Sequence, residues 1–423
     1  RVCVYNTGSA ALSITEIKMA GCSPEFKLKK VPGLPKDITS AGPICFETVY
    51  APQDEGKDEC VIQVASNDQS APSMSVAVKG EGTYETEQTD IFEQVSGQAV
   101  DILFVIDDSG SMCEEQDRMI DNFQSFISQA EIWNNDYHIG IISVNVVNEA
   151  VMGKLNRGAS NLTPRYITKG PNAQTQFAKL ADIGCDGNSD AQEAALQAAQ
   201  AALSSPLTSE TGVSCSSDTE CRNNKNLCSS STNCPYYCVE GTCGGWNKGF
   251  LRKDAQLEIV ALSDEEDQSS GTPDFYVDFF KSIKGYYNTN MMHFNAIVGV
   301  DDPNDAYDGY CMSPDESTGA ADGKRYIDVA QRTNGQVGSI CDPDYDVIMN
   351  QIGSVAFGLK VQFYLSRLAD PPTVEVRVND ALCSTGWRYD APSNSVIFDE
   401  TGTCMPQPGD IIKIHYDTLC LKS

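Results

Sequence analysis

The sequence predicts a multidomain chain of class α/β plus β, in which a doubly wound open sheet is flanked on each side by an all-β module. Three observations predict it. Short alternating runs broken by turn residues fill positions 1–84, and buried-strand and helix patterns alternate over 100–359. Strand patterns then return over 360–423. With 423 residues, 41% of them hydrophobic and 21% charged, the composition is globular and the length suits about two to four domains.

The first segment, residues 1–84, contains no helical periodicity. Ala11 to Lys18 and Ser73 to Val78 alternate as half-buried strands do, which predicts a β-sandwich. Cys45 and Cys60 flank what reads as a hairpin loop and are expected to pair across it. Residues 85–99 are polar and acidic and read as a connector, with one extra strand around Ile91-Phe92 that pairs with the C-terminal strands.

From Val100 the period changes. Asp101 to Ile106, His138 to Val144, Leu257 to Leu262, Phe294 to Val300 and Gln336 to Ile340 are short apolar runs of the kind a buried parallel strand requires. Met119 to Ala130, Ala191 to Leu203, Phe275 to Ile283, Tyr326 to Arg332 and Asp346 to Phe357 have helical spacing. Strands alternating with helices predict a mostly parallel sheet covered on both faces. Over 206–248 the alternation stops, Ser, Thr, Asn and Cys dominate, and a small disulfide-held insertion is expected. Beyond it, Val374 to Val378, Ser395 to Phe398 and Ile411 to Tyr416 predict a compact β module over 360–423, bridged by Cys383 and Cys404.

The net charge of -29 argues against a nucleic-acid partner, which needs a basic face. Seventeen cysteines, six of them between Cys215 and Cys243 without paired CxxC knuckles, read as disulfides rather than zinc ligands. They place the chain extracellularly, on a cell surface or in a periplasm. No apolar run reaches the roughly 18 residues of a membrane-spanning helix. The chain opens at Arg1 inside a strand-like pattern, so a fragment or processed form is expected, with any export signal or anchor upstream.

After the first buried strand comes Asp107-Asp108-Ser109-Gly110-Ser111. In open α/β sheets ligands lie at the carboxyl ends of the strands. Asp107, Ser109 and Ser111 alternate along this loop and can converge. One carboxylate with two hydroxyls is hard-oxygen chemistry, suited to Mg²⁺ first, and to Ca²⁺ or Mn²⁺. The competing reading makes Ser109 or Ser111 the N-cap of the following helix.

Phe104-Val105-Ile106 ahead of this loop and Met112 behind it complete a segment that resembles the DxSxS motif of the metal-ion-dependent adhesion site in von Willebrand factor A domains. The resemblance implies a Rossmann-like A domain over 100–359 and two further ligands. One is an aspartate after the fourth strand, here Asp264 in Val260-Ala261-Leu262-Ser263-Asp264. The other is a threonine before the Ala-rich helix. The loop reads Gly184-Cys185-Asp186-Gly187-Asn188-Ser189-Asp190, and counting back from Leu196 puts Asp190 or Ser189 in the threonine's place. Glu265-Glu266-Asp267 looks like the variant of bacterial secreted A domains and is expected to form an acidic rim, with a second cation as the alternative. Both metal-face loops carry a cysteine, Cys113 and Cys185, which are expected to pair, as are Cys311 and Cys341 around the helix at Tyr326.

In the first segment, Asn6-Thr7-Gly8, Leu12-Ser13-Ile14, Tyr50-Ala51-Pro52, Ser66-Asn67-Asp68 and Gly80-Glu81-Gly82 resemble the immunoglobulin-like choice-of-anchor D or ASH-type repeats of bacterial surface proteins. Together the resemblances imply an extracellular bacterial surface protein. It binds a protein or surface glycan by letting a partner's acidic residue complete the metal shell, and it is not an enzyme. The alternative is a structural subunit of a surface filament or coat. Asp301 to Asp305 with Asp308 fails the EF-hand pattern and reads as an acidic turn, and Asn161-Leu162-Thr163 is a formal glycosylation sequon.

Overall fold

The computed structural model of the chain describes residues 2–6, 10–38, 43–69, 71–158, 164–185, 192–228, 234–285, 291–301, 310–312, 319–399 and 401–419. Two compact units result. One is Ser96–Leu359; the other joins Arg1–Val95 to Lys360–Ser423.

The first unit is built on a six-stranded sheet. Its strands are β1 (Ala99–Ile106), β2 (Asp136–Ser143), β3 (Ile167–Thr168), β4 (Gln256–Ser263), β5 (Met292–Val298) and β6 (Val337–Ser339). They lie in the order β3-β2-β1-β4-β5-β6. All neighbours are parallel except the edge strand β3, which runs antiparallel to β2. Around it lie α1 (Cys113–Asp121), α2 (Phe123–Trp133), α3 (Ala173–Ala181), α4 (Ala195–Ala202), α5 (Pro273–Ile283), α6 (Lys324–Arg332) and α7 (Asp346–Phe357).

Strand alternation divides the packing between two faces. Val100, Ile102, Phe104 and Ile106 of β1 share one core with Phe123 and Phe126 of α2, Phe177 of α3 and Ile352 of α7. The intervening Leu103 and Val105 are also fully buried, and α4 contacts β1 and β2 while α6 contacts β5. Cover on both faces is why these strands read as unbroken apolar runs. The strand order turns around between β1 and β4, and the crevice at such a switch point opens at the carboxyl ends of the strands.

The helix expected over Met119 to Ala130 is two helices. The chain breaks at Asn122, whose side chain donates to Arg118 O at 2.9 Å and competes with the helical ladder. In the insertion, Glu210–Ser214, Tyr237–Val239 and Thr242–Gly244 form a small antiparallel sheet beside a helix, Asp218–Asn223. Disulfides Cys215–Cys238, Cys221–Cys243 and Cys228–Cys234 hold it. Its exit is fixed by Asn247, 1% exposed, which donates to Gly153 O and Ala202 O and accepts from Leu155 N.

The second unit is all β. A three-stranded sheet (Val2–Val4, Ile44–Tyr50, Phe26–Lys29) and a four-stranded one (Lys36–Ile38, Leu12–Ala20, Gly56–Ser66, Ser73–Gly82) share a core of Ile14, Ile38, Ile44, Phe46, Ile62 and Val64. The cysteine pairing expected here is corrected. Cys45 bonds to Cys3 and Cys60 to Cys22, because Ile44–Tyr50 and Gly56–Ser66 lie in different sheets and the turn between them is a crossover, not a hairpin. The remaining strands form two more sheets, Gln362–Tyr364 with Ser395–Phe398 and Trp387–Asp390, and Ala381–Leu382 with Glu375–Val378, Ile411–Asp417 and Glu87–Glu93. Glu87–Glu93, from the segment read as a connector, pairs antiparallel with Ile411–Asp417.

Cys113–Cys185, Cys311–Cys341 and Cys383–Cys404 bring the disulfides among the described residues to eight. Such a framework persists only in an oxidising compartment, and the protein is an extracellular, disulfide-bonded one. Among the described residues no helix is long and apolar enough to cross a membrane.

Candidate metal centre at the carboxyl edge of the sheet

β1 and β4 end side by side, and the backbone N–H of Asp107 donates to Leu262 O at 2.9 Å. The Asp107 carboxylate, fully buried, accepts from Ser109 N at 2.8 Å and from Ser263 Oγ at 2.7 Å. Ser109 Oγ and Ser111 Oγ lie 3.3 Å apart. Neither caps α1: Met112 is the N-cap, and no side chain bonds to the first-turn amides. The capping reading is thereby removed; the two hydroxyls instead meet each other, and that of Ser109 also bonds the Asp107 carboxylate.

The loop is braced from behind. Gln116 Nε2 donates to Asp107 O at 2.8 Å and to Gly184 O at 3.1 Å, next to the Cys113–Cys185 bond. Asp264 follows β4 and lines, with Ser111, Glu115, Ala320 and Ile340, a cavity of about 10 Å³. That is roughly the room one water-sized occupant needs.

The sequence reading missed Glu193. Asp190 and Ser189, placed where the family has threonine, lie outside the described residues. Glu193, just ahead of α4 and 7% exposed, bridges by its backbone to Asn145 after β2. Its carboxyl accepts from Gln268 Nε2 at 3.2 Å and is hydrogen-bonded to Glu265. Burial raises its pKa to about 9, and the charges of Asp107, Glu265 and Asp264 add to the rise. Burial likewise pushes Asp107 up to about 6, aided by Asp264 and opposed by the Ser263 and Ser109 hydrogen bonds. The one sequence signal for Glu193 was its place three residues before Leu196 as the last oxygen-bearing side chain ahead of the helix.

The acidic run after Asp264 is not a uniform rim. Asp267 is 4% exposed, pairs with Arg325 Nε at 2.9 Å and accepts from Leu196 N at 3.3 Å, fastening the start of α4. Glu266 accepts from Arg325 N at 3.1 Å. Only Glu265 turns to Glu193. Of the sequence-predicted set, Asp107, Ser109, Ser111 and Asp264 are thus gathered at one strand edge. Ser111 and Asp264 line the small cavity, and the carboxylate and hydroxyl oxygens of the four residues are of the kind a hard divalent cation takes. Most of Asp301 to Asp305 with Asp308, and the Asn161 sequon, fall outside the described residues.

No family model matches the sequence, and no curated protein matches it. Among solved structures, proximal thread matrix protein 1 of the mussel byssus is similar with TM-score 0.31 and 10% identity over 65% of this chain and 51% of that one. BatB of Bacteroides thetaiotaomicron gives TM-score 0.29 and 9% identity over 60% of this chain and 96% of its own. The pilus adhesin SpaC of Lactobacillus rhamnosus GG gives 0.29 and 13% over 93% and 42%. The chain spans about half the length of the first of these. None of these scores reaches the level at which a likeness assigns a family.

Proposed function

We propose that the protein is a non-enzymatic surface protein whose A-type domain holds a divalent cation, Mg²⁺ first and Ca²⁺ or Mn²⁺ as alternatives, and uses it to bind a partner. The observation that carries this reading is the pair of hydroxyls, Ser109 and Ser111, 3.3 Å apart on the loop that follows the buried Asp107 carboxylate, with Ser111 and Asp264 lining a one-occupant cavity. Asp107, Ser109, Ser111 and Asp264 would hold the cation, with Asp190 or Ser189 in the threonine's place and Glu193 as a nearby buried carboxyl. When bound, the cation offers an open coordination position to a partner's oxygen ligand. The chain's own residues hold that position rigid: Gln116 and the Cys113–Cys185 bond brace the loop, and Asp267 with Arg325 fixes the segment after Asp264.

A second reading is favoured by Glu193. Asp107, Asp264, Glu193 and Glu265 would leave a divalent cation with surplus negative charge, which repels an acidic side chain. In this reading the cation only supports the local fold of a filament or coat subunit, whose assembly does not run through it. Partner capture from the native surface decides between them. Loss of capture both in EDTA and in Asp107→Ala supports adhesion; capture or assembly indifferent to both supports the subunit. Thermal stabilisation by Mg²⁺ or Ca²⁺ that Asp107→Ala abolishes tests the cation site itself, and its absence in the unaltered protein would sink the proposal.

A further inference from the structure

One strand of the all-β unit is left bare on two sides. Ser73–Gly82 is ten residues long and lies at the edge of its four-stranded sheet, paired on one side with Gly56–Ser66. Among the described residues no strand takes up its outer row of amides and carbonyls. The ladder with Gly56–Ser66 runs through ten successive pairs without a bulge. Long, straight edges of this kind invite another strand, and proteins that avoid one shorten, bulge or charge them. Here Gln69 to Val78 carries no charge, in a chain of which 21% is charged. The charge that follows, Lys79, is paired with Glu59 at 2.7 Å.

The second bare side is the inner face. Val64 lies opposite Met74, Ile62 opposite Val76 and Cys60 opposite Val78. Residues opposite each other in an antiparallel pair share a face, and Cys60, Ile62 and Val64 are buried. The core face therefore continues onto Met74 and Val76, yet these are 64% and 37% exposed. At the far end of the strand the three-stranded sheet supplies cover. There the Tyr50 ring lies over Gly80, so close that a Cβ on Gly80 would sit 2.4 Å from it. Toward Met74 that cover runs out.

We infer that this edge pairs antiparallel with the same strand of a second copy, about a two-fold axis at Val76. In that register Val76 meets Val76, Met74 meets Val78 and Ser75 meets Ala77. Each exposed apolar side chain finds an apolar one about 5 Å away, and the small residues fall together on the outer face. Lys79 meets Ser73, so no like charges oppose each other. Charge favours a second copy as the occupant. Two chains of net charge -29 repel over most of their surfaces, and this neutral run is where they can meet without that repulsion. A charged peptide would lay its charges along an apolar strip. A two-fold contact uses one patch on both copies and closes at the dimer. The inference stands apart from the cation and does not need it.

The test is sedimentation velocity of the full chain over a range of concentrations in EDTA, which keeps cation-dependent association out of the reading. A monomer–dimer equilibrium with Kd of about 10–100 µM is expected, as suits a contact smaller than the roughly 1,200 Å² of a standard interface. Val76→Lys and Val76→Glu should each weaken it at least about tenfold, since the axis sets each new charge against its own copy. Mixed in equal amounts, the two variants should associate again, because Lys then faces Glu. Met74→Lys, at the more exposed position, should weaken the dimer too and serves if a charge at Val76 unfolds the protein. A chain that stays monomeric throughout, a dimer unmoved by these variants, or a mixture that associates no better than either variant alone would each overturn the inference.

Discussion

Replacing Glu193 by Gln is expected to shift stability in opposite directions with and without cation. In the cation-free fold Glu193 titrates near 9, against 4.5 for an ordinary Glu. The folded state therefore keeps a proton that the unfolded chain gives up. The stability tied to this group is fully present below 4.5 and is lost as pH rises toward 9. Pushing the group to about pH 7 forfeits two and a half units at about 1.36 kcal/mol each, or about 3 kcal/mol. The rise belongs to Glu193 and Glu265 together, and Asp107 titrating near 6 takes a further share, so about 3 kcal/mol is the ceiling of the effect. Gln carries no such loss. In EDTA at about pH 7, Glu193→Gln should melt higher by roughly 6–12 °C in a unit of this size. With saturating Mg²⁺ or Ca²⁺ the wild type should gain more than the variant, because the carboxylate is then paired with a cation. Thermal unfolding over about pH 4.5 to 8, with EDTA or cation, reads both effects. Parallel pH profiles in EDTA, or equal stabilisation of both proteins by cation, would refute the reasoning.

Arg325→Met strands the buried Asp267 carboxylate and should cost about 3 kcal/mol or more in urea unfolding, with the start of α4 loosened first in hydrogen exchange. Asp90 accepts from Ser366 N and Oγ, Gln88 and Tyr416, and although burial opposes it, the Ser366 bonds lead a net lowering of its pKa. A lowered carboxylate stabilises above its unfolded pKa, so Asp90→Asn should cost about 2 kcal/mol near neutrality. The difference from wild type should close as pH falls below the ordinary Asp range of about 3.9. Replacing Cys113 and Cys185 together by Ser opens a bond spanning 72 residues. About 4 kcal/mol of stability should go with it, along with part of the cation affinity, both measurable by melting with and without cation.

The central strands were legible because burial on both faces writes itself as an unbroken apolar run, as in Val100 to Ile106. Helix α3 was not. Ala173–Ala181 carries few large apolar side chains, Phe177 and Leu180 among them, and its polar half looks like loop. That Asp107, Ser109, Ser111 and Asp264 follow neighbouring strand ends was legible because local spacing and the strand patterns define it. Glu193 was hidden because its partners, Gln268 and Glu265, lie more than 70 positions away in sequence, and only packing brings them to it. The pairing of Cys45 and Cys60 misled for a similar reason. Proximity in sequence suggested one sheet where the chain had crossed to another.

The pairing of Glu87–Glu93 with Ile411–Asp417 has a mechanical consequence. Glu87 lies opposite Asp417 and Glu93 opposite Ile411. The chain leaves for the α/β unit beyond Glu93 and returns before Ile411, so Ser96–Leu359 is inserted in sequence between the two strands of this ladder. A pull on the segments before Glu87 and after Asp417 enters at the other end. It is borne by the ladder and does not run along Ser96–Leu359. Such a load opens antiparallel hydrogen bonds one rung at a time, as a zip rather than in shear. Until the last rung parts, the covalent connection through Ser96–Leu359 lies outside the loaded path.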